Sequence, residues 1–368
     1  MSAREIVLAR DVGVDVGGIE RELATLWRNA SKSAKDHEQV TRACSWNLVV
    51  HCQDDATYGA ARPVVDEAVR QVPARTLILK PRPNAAPRDG REVEAWVTAA
   101  CQVAPGGGRM LCTEEITIES RGEEGVAHLP GLLRALTVPD VPTALYWAGP
   151  PPTDSSALRI LLAGVDRLIF DSQALAGGGE GGLARLAHLS GLLDGLLIAD
   201  LAWLRTASLR SVLASLFDAP TSPEPLRRLK RVLVRASPGG VSNAKLMLGW
   251  LASRLAWGSF ERLERGQHAW RVALADGGAI RVDIDTARIV SSRACALRDL
   301  TLETLQGERF AVEDAGTPSV TVTLPGVGAR QVLAHQPSPA QALIAALGAR
   351  GRDRLFSVAL HRAVELDR

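Results

Sequence analysis

The order of apolar runs along this chain changes once, and no other feature constrains its fold as much. Between residues 42 and 170, short apolar runs alternate with helix-length stretches. Residues 46–52, 75–80, 143–147 and 167–170 read as strands. Residues 63–72, 125–136 and 155–162 read as helices, the first with a proline at its opening turn. Strands that alternate with helices need crossover connections, so the spacing predicts a mixed, mostly parallel sheet with flanking helices, an α/β domain. Two runs of period two, 95–103 and 110–119, meet around Pro105, Gly106, Gly107 and Gly108. They form a hairpin, and it is this hairpin that makes the sheet mixed. Residues 81–91, rich in Pro, Arg and Gly, read as a loop.

A glycine-rich break at 174–182 ends that order. Beyond it, 231–235 reads as a strand, 270–275 and 279–284 as a hairpin around Asp276, Gly277 and Gly278, and 295–335 as further strands. Helices are expected from Thr206, Ser242, Ser338 and Asp353, each read as a cap. In the first of these, Leu209, Val212, Leu213, Leu216 and Phe217 share one face. The helix from Ser242 to Trp257 is almost wholly apolar and is expected to be buried on most sides. The second half is therefore an α+β domain. The division that follows is a helical leader at 1–40, an α/β domain at 41–174, a linker at 175–182 and the α+β domain at 183–368. Ile19, Leu23, Leu26 and Trp27 make the amphipathic stripe of the leader.

Hydrophobic residues at 46% and charged residues at 23% suit a folded chain with a sizeable core. Eight Trp against two Tyr and five Phe is unusual, and Trp46, Trp147, Trp203 and Trp250 lie in the most patterned segments, as packing anchors would. The net charge is only +2. Its two cationic clusters, Arg227, Arg228, Lys230, Arg231 and Arg235, and Arg75, Lys80, Arg82, Arg88 and Arg91, read as solvated faces rather than a nucleic-acid surface. Residues 1–10 carry no apolar core of a signal peptide, and no run of 18 uncharged apolar residues follows, so no membrane partner is expected. Five cysteines without CxxC spacing fit a reducing compartment, and a cytoplasmic location is expected.

Few motifs carry chemistry. Gly177, Gly179 and Gly182 satisfy GxGxxG, yet seven residues separate them from the preceding strand and five glycines in six positions match almost any glycine pattern. A flexible linker is the preferred reading. Centring the hairpin on Gly106 and Gly107 places Cys101 opposite Cys112, about 4.5–5.5 Å apart at Cβ, which makes them a possible redox pair as well as two possible buried thiols. The seven histidines are scattered; HExxH, GxSxG and GxxxxGK[ST] are all missing, and neither a metal nor a cofactor is expected. Asp200, Trp203 and Arg205 fall within six residues. They read either as an exposed recognition edge or as an Asp200–Arg205 pair beside an interior indole.

The stretch from Asp200 to Arg205 (DLAWLR), the closing Leu216, Phe217 and Asp218, and the helix around Trp250 (LGWLASRL) resemble the OpcA family of glucose-6-phosphate dehydrogenase assembly proteins. Upstream segments agree in order: RACSWNLVV from Arg42, VPARTLIL from Val72, PDVPTALYW ending at Trp147, and DRLIFDS ending at Ser172. The resemblance covers roughly residues 42–258. It implies a non-enzymatic effector that binds glucose-6-phosphate dehydrogenase and promotes its assembly or activity, with Asp200, Trp203, Arg205 and Arg210 toward the partner. Two positions depart from the family pattern: the AGPPP tail after Trp147, and Leu209 ahead of Arg210, where an aromatic is common. The alternative from the residues alone is a nucleotide- or sugar-phosphate-binding enzyme that uses the 177–182 glycine loop.

Overall fold

A computed structural model describes residues 6–13, 16–33, 39–103, 109–152, 155–177, 181–193, 195–218, 224–264, 268–274, 277–286, 297–314 and 318–367. They fall into two compact units, Met1–Phe170 with Gly195–Ala199, and Asp171–Asp194 with Asp200–Arg368.

The first unit runs β1 (Ile6–Gly13), α1 (Val16–Ser33), β2 (Gln39–Arg42), β3 (Trp46–Cys52), α2 (Asp55–Gln71), β4 (Ala74–Arg82), β5 (Val93–Val103), β6 (Arg109–Arg121), α3 (Gly122–Ala127), α4 (Leu129–Leu136), β7 (Thr143–Ala148), α5 (Ser155–Leu161), β8 (Arg167–Phe170) and most of β9 (Leu197–Asp200). The sheet order is β1-β5-β6-β4-β3-β7-β8-β9, with β2 alongside β6. β3 runs parallel to β4 and β7, β4 to β6, and β7 to β8, while β5 and β6 form the antiparallel hairpin. The mixed, mostly parallel sheet is the one the alternation implied. Strands β7 and β8 are buried at every position, so their side chains are covered on both faces, as parallel strands under helices require.

Three elements differ from the sequence reading. β1 pairs with β5 from Ile6↔Cys101 to Gly13↔Glu94, so part of the first forty residues belongs to this sheet, and α1 is twice the length of its apolar stripe. Helix α2 begins eight residues before Pro63, because Asp54 and Thr57 close a capping box, a stronger start signal than a proline. The 125–136 stretch is two helices, and Pro130 sits in the first turn of the second, where its missing N–H is harmless.

Arg75, expected on a solvated face, is only 4% exposed. Its Nε donates to Glu114 Oε2 at 2.7 Å, and its Nη1 to Glu20 at 2.8 Å and to the Leu136 carbonyl at 2.8 Å. Glu114 also accepts from Arg42 (2.9 Å) and from the Trp27 indole (2.5 Å), so a buried carboxylate is fully engaged. On β3, His51 stacks on Trp147 of β7 with ring centroids 3.8 Å apart. Burial lowers its pKa to about 4.

The second unit holds α6 (Gly182–Leu192), α7 (Leu201–Arg205), α8 (Ala207–Ser215), β10 (Leu229–Ala236), α9 (Val241–Arg254), β11 (Phe260–Arg262), β12 (Ala269–Ala273), β13 (Ala279–Asp285), β14 (Leu297–Thr304), β15 (Arg309–Asp314), β16 (Ser319–Leu324), β17 (Gly328–Leu333), α10 (Pro339–Gly348) and α11 (Arg354–Val364). Its sheet order is β11-β12-β13-β10-β14-β15-β16-β17, antiparallel except where β10 meets β13. This is the α+β arrangement the hairpins implied.

Ser338 and Asp353 cap α10 and α11 through their side chains. Ser242 does not cap: α9 starts one residue earlier, from a 3-10 turn at Pro238–Gly240, which leaves the serine inside the first turn. Thr206 sits at the start of α8, but its hydroxyl donates back to the Trp203 carbonyl instead. Residues 242–252 of α9 are all buried, and Gly249 lets α11 come close: a Cβ there would lie 2.2 Å from the Ala359 carbonyl oxygen.

Candidate functional site

Asp200, Trp203, Arg205 and Arg210 meet in one cluster of the second unit. β9 delivers Asp200 in an extended conformation at the start of α7, where its Oδ1 accepts the Trp203 N–H at 2.8 Å. Such a cap is worth about 1 kcal/mol. The same carboxylate accepts from the Ser172 N–H at 3.0 Å and its hydroxyl at 3.1 Å. Asp200 is 1% exposed, and burial, helped by the neighbouring Asp171, lifts its pKa to about 7 against the pull of these hydrogen bonds and of Arg205.

Arg205 is 1% exposed and does not pair with Asp200. Its guanidinium forks onto Asp171, Nη1 to Oδ2 at 3.0 Å and Nη2 to Oδ1 at 2.8 Å, and Nη2 also donates to Gln173 at 2.7 Å. The reason is local: the Asp200 carboxylate is held at the N-terminal end of α7, whereas Arg205 closes its last turn.

Trp203, 2% exposed, donates from Nε1 to Asp353 Oδ2 at 2.7 Å. Asp353 caps α11 through its other oxygen, so one exposed carboxylate ties the indole to that helix. Phe356 tilts against the ring at 5.8 Å. The Arg210 guanidinium lies 3.3 Å from the indole centroid and donates to the Trp203 carbonyl at 2.8 Å and to Thr206 Oγ1 at 2.5 Å. Burial lowers the Arg210 pKa to about 10, which leaves it charged at neutral pH.

The exposed-edge reading of this stretch is therefore corrected: Asp200, Trp203 and Arg205 are interior, and among the four only Arg210 is part-exposed. Asp171, Ser172 and Asp353 complete the cluster and were not singled out as its members. One signal did exist for Asp353, since a buried indole N–H needs an acceptor. Arg205 and Asp171 lie 34 residues apart, and nothing in their spacing marks them as a pair.

Of the 177–182 glycine loop, residues 178–180 lie outside the described residues. A 3-10 turn at Ser172–Gly177 follows β8, Gly179 lies outside the described residues, and Gly181 opens α6 with φ +92°. Cys101 faces Cys112 across the β5–β6 hairpin, and the two are joined as a disulfide. Among the described residues, no group of three His, Cys, Asp or Glu could hold a metal ion, and no helix is long and apolar enough to cross a membrane.

The fold and cluster define an α/β protein of two units whose second unit is organised around a buried Asp–Trp–Arg constellation. Residues 65–188 match the family model described as the glucose-6-phosphate dehydrogenase subunit N-terminal domain, and residues 197–360 match its C-terminal domain. The chain belongs to the OpcA family. It is 30% identical to the OxPP cycle protein OpcA of Nostoc punctiforme over 195 residues, 53% of this chain and 40% of that protein. The Synechocystis sp. OpcA is 27% identical over 53% of this chain and 39% of its own. The matched stretch is thus less than half the length of either relative. Among solved structures, an oxidoreductase from Thermotoga maritima covers 87% of this chain and 96% of its own at 9% identity and a TM-score of 0.44, a likeness too low to carry any inference.

Proposed function

We propose that this chain binds glucose-6-phosphate dehydrogenase and favours its active assembly, without turning over a substrate itself. The observation that carries the reading is the pair of family matches in chain order, both described as domains of a glucose-6-phosphate dehydrogenase subunit. The name of the relatives, OxPP cycle protein, points the same way. The cluster adds support. Ser172 and the Trp203 N–H hold Asp200, and Asp353 holds the Trp203 indole, so the cluster is a braced one of the kind that stiffens a scaffold.

A binder of this kind needs only differential affinity. If it holds the assembled enzyme about 100-fold more tightly than the dissociated one, it shifts that equilibrium by about 2.7 kcal/mol. In this reading Asp200, Trp203 and Arg205 are positioning residues, and Arg210 is the member that can touch the partner. Calorimetry with the purified enzyme tests it. Saturable heat with the dehydrogenase, weakened by Arg210→Gln, is the expected result. Heat with NADP or glucose 6-phosphate instead, or conversion of either by the chain alone, contradicts it.

A further inference from the structure

The strand order of the first unit carries an expectation of its own. Taken in chain order as first to sixth, β3, β4, β6, β7, β8 and β9 lie side by side as third, second, first, fourth, fifth and sixth. That is the order of the doubly wound sheets that seat a dinucleotide. β3 leads through α2 to β4 on one side, and β7 leads through α5 to β8 on the other. In such a sheet the ligand lies in the crevice at the carboxyl ends of the two diverging strands. Its pyrophosphate sits on the N-terminus of the first helix. Here those parts are the β3–α2 turn, the β7–α5 turn and the start of α2.

The residues at that place do not fit a dinucleotide. No glycine stands between Cys52 and Tyr58, where the backbone would have to approach a pyrophosphate. Asp54 takes the position instead: its Oδ1 accepts the Thr57 N–H at 2.7 Å, and the Thr57 hydroxyl accepts the Asp54 N–H at 3.0 Å. Asp55 adds a second carboxylate in the first turn. Both meet the positive end of the helix, and together they repel a phosphate from it. Lys80 and Arg82 end β4, where an arginine can accept a 2′-phosphate. Yet both turn to Asp55, Lys80 at 3.4 Å and Arg82 by a direct hydrogen bond. The crevice is filled from its other side too. A Cβ built on Gly149 would lie 3.2 Å from the Thr57 methyl, so the β7–α5 turn rests on the first turn of α2. Pro150, Pro151 and Pro152 follow, and their fixed φ angles stiffen that turn. The Trp147 indole, stacked on His51, donates to the Pro150 carbonyl at 2.9 Å. Cys52 and Ala148, the last residues of the two strands, are buried.

We propose that the β3–β7 switch point is a sealed structural joint, in which the Asp54 carboxylate takes the place of a pyrophosphate and no dinucleotide enters. The sheet has the strand order of a dinucleotide fold and uses its ligand place as a brace. This joint does not depend on the partner proposed above, and a dinucleotide response of the complex would not arise here.

Hydrogen exchange of the full chain, read by mass spectrometry in peptides covering residues 52–60 and 147–152, tests the joint with NADP and NAD as probes. Neither dinucleotide, at about 1 mM, should change exchange in either peptide. Protection gained in either one overturns the proposal. Asp54→Ala should speed exchange in the first peptide and lower the melting temperature by about 2 °C. Asp54→Ser, a cap without a charge, should restore both. A wild-type exchange pattern in Asp54→Ala overturns the joint as well. Calorimetric heat with NADP that leaves both peptides unchanged supports the joint, and tells instead against the function proposed above.

Discussion

In the first unit, strands β7 and β8 bury every residue, whereas in the second, β10 buries only alternate ones. β7 and β8 are covered on both faces, whereas β10 turns Arg231 and Arg235 to a half-exposed side. The contrast shows two ways to accommodate charge. Beneath covering layers a carboxylate such as Glu114 must be met in full, here by two arginines and an indole. On the half-exposed side Arg231 and Arg281 share the carboxylate of Asp283, an arrangement that costs little.

The largest test of that contrast compares two arginines. Arg75→Ala strips the buried Glu114 of its innermost partner and should cost about 3 kcal/mol in urea unfolding. Arg281→Ala, at a half-exposed guanidinium whose partner Asp283 keeps Arg231, should cost less than about 1 kcal/mol. Equal losses would erase the distinction. Within the second unit, Gly249→Ala drives a methyl into the Ala359 carbonyl. It should destabilise by about 1–3 kcal/mol, read as a drop in melting temperature. An unchanged melting temperature would mean that α9 and α11 do not approach as closely as described.

Acid and base separate the units next. Asp200 has a folded pKa of about 7, above its free value of 3.8. Folding therefore favours its protonated form, and that contribution is complete below about pH 4 and lost as pH rises through 7. His51 has a folded pKa of about 4, below 6.5, so its contribution is complete above pH 6.5 and lost as pH falls toward 4. Asp200→Asn should flatten the first dependence and His51→Gln the second, with opposite slopes between pH 4 and 6.5. Profiles that do not change would refute the assignment. The smallest effect concerns the β5–β6 hairpin. Titration of the denatured chain should find three free thiols when oxidised and five when reduced. Five in both states would remove the proposed redox pair.

Much of the architecture was legible in sequence because it is local. The two period-two runs that became β5 and β6 carry the register that sets Cys101 against Cys112. Ser338 and Asp353 announce their helices by chemistry that reaches only three residues ahead. The rest depends on distant partners. Arg75 sits in a run of cations that looks solvated until β6 brings Glu114 beside it. The Trp203 indole finds Asp353 at a separation of 150 residues, and Arg205 finds Asp171 rather than the nearer Asp200. The pairing of Arg231 and Arg281 with Asp283 appears only once β10 is known to lie beside β13, an order no hairpin dictates.

The central claim is that this chain changes the state of glucose-6-phosphate dehydrogenase by binding it. The direct measurement is the specific activity of that enzyme from the same cell, followed through serial dilution with and without the chain. The account predicts that the chain holds activity up at dilutions where the enzyme alone falls apart. Superimposable dilution curves would contradict it.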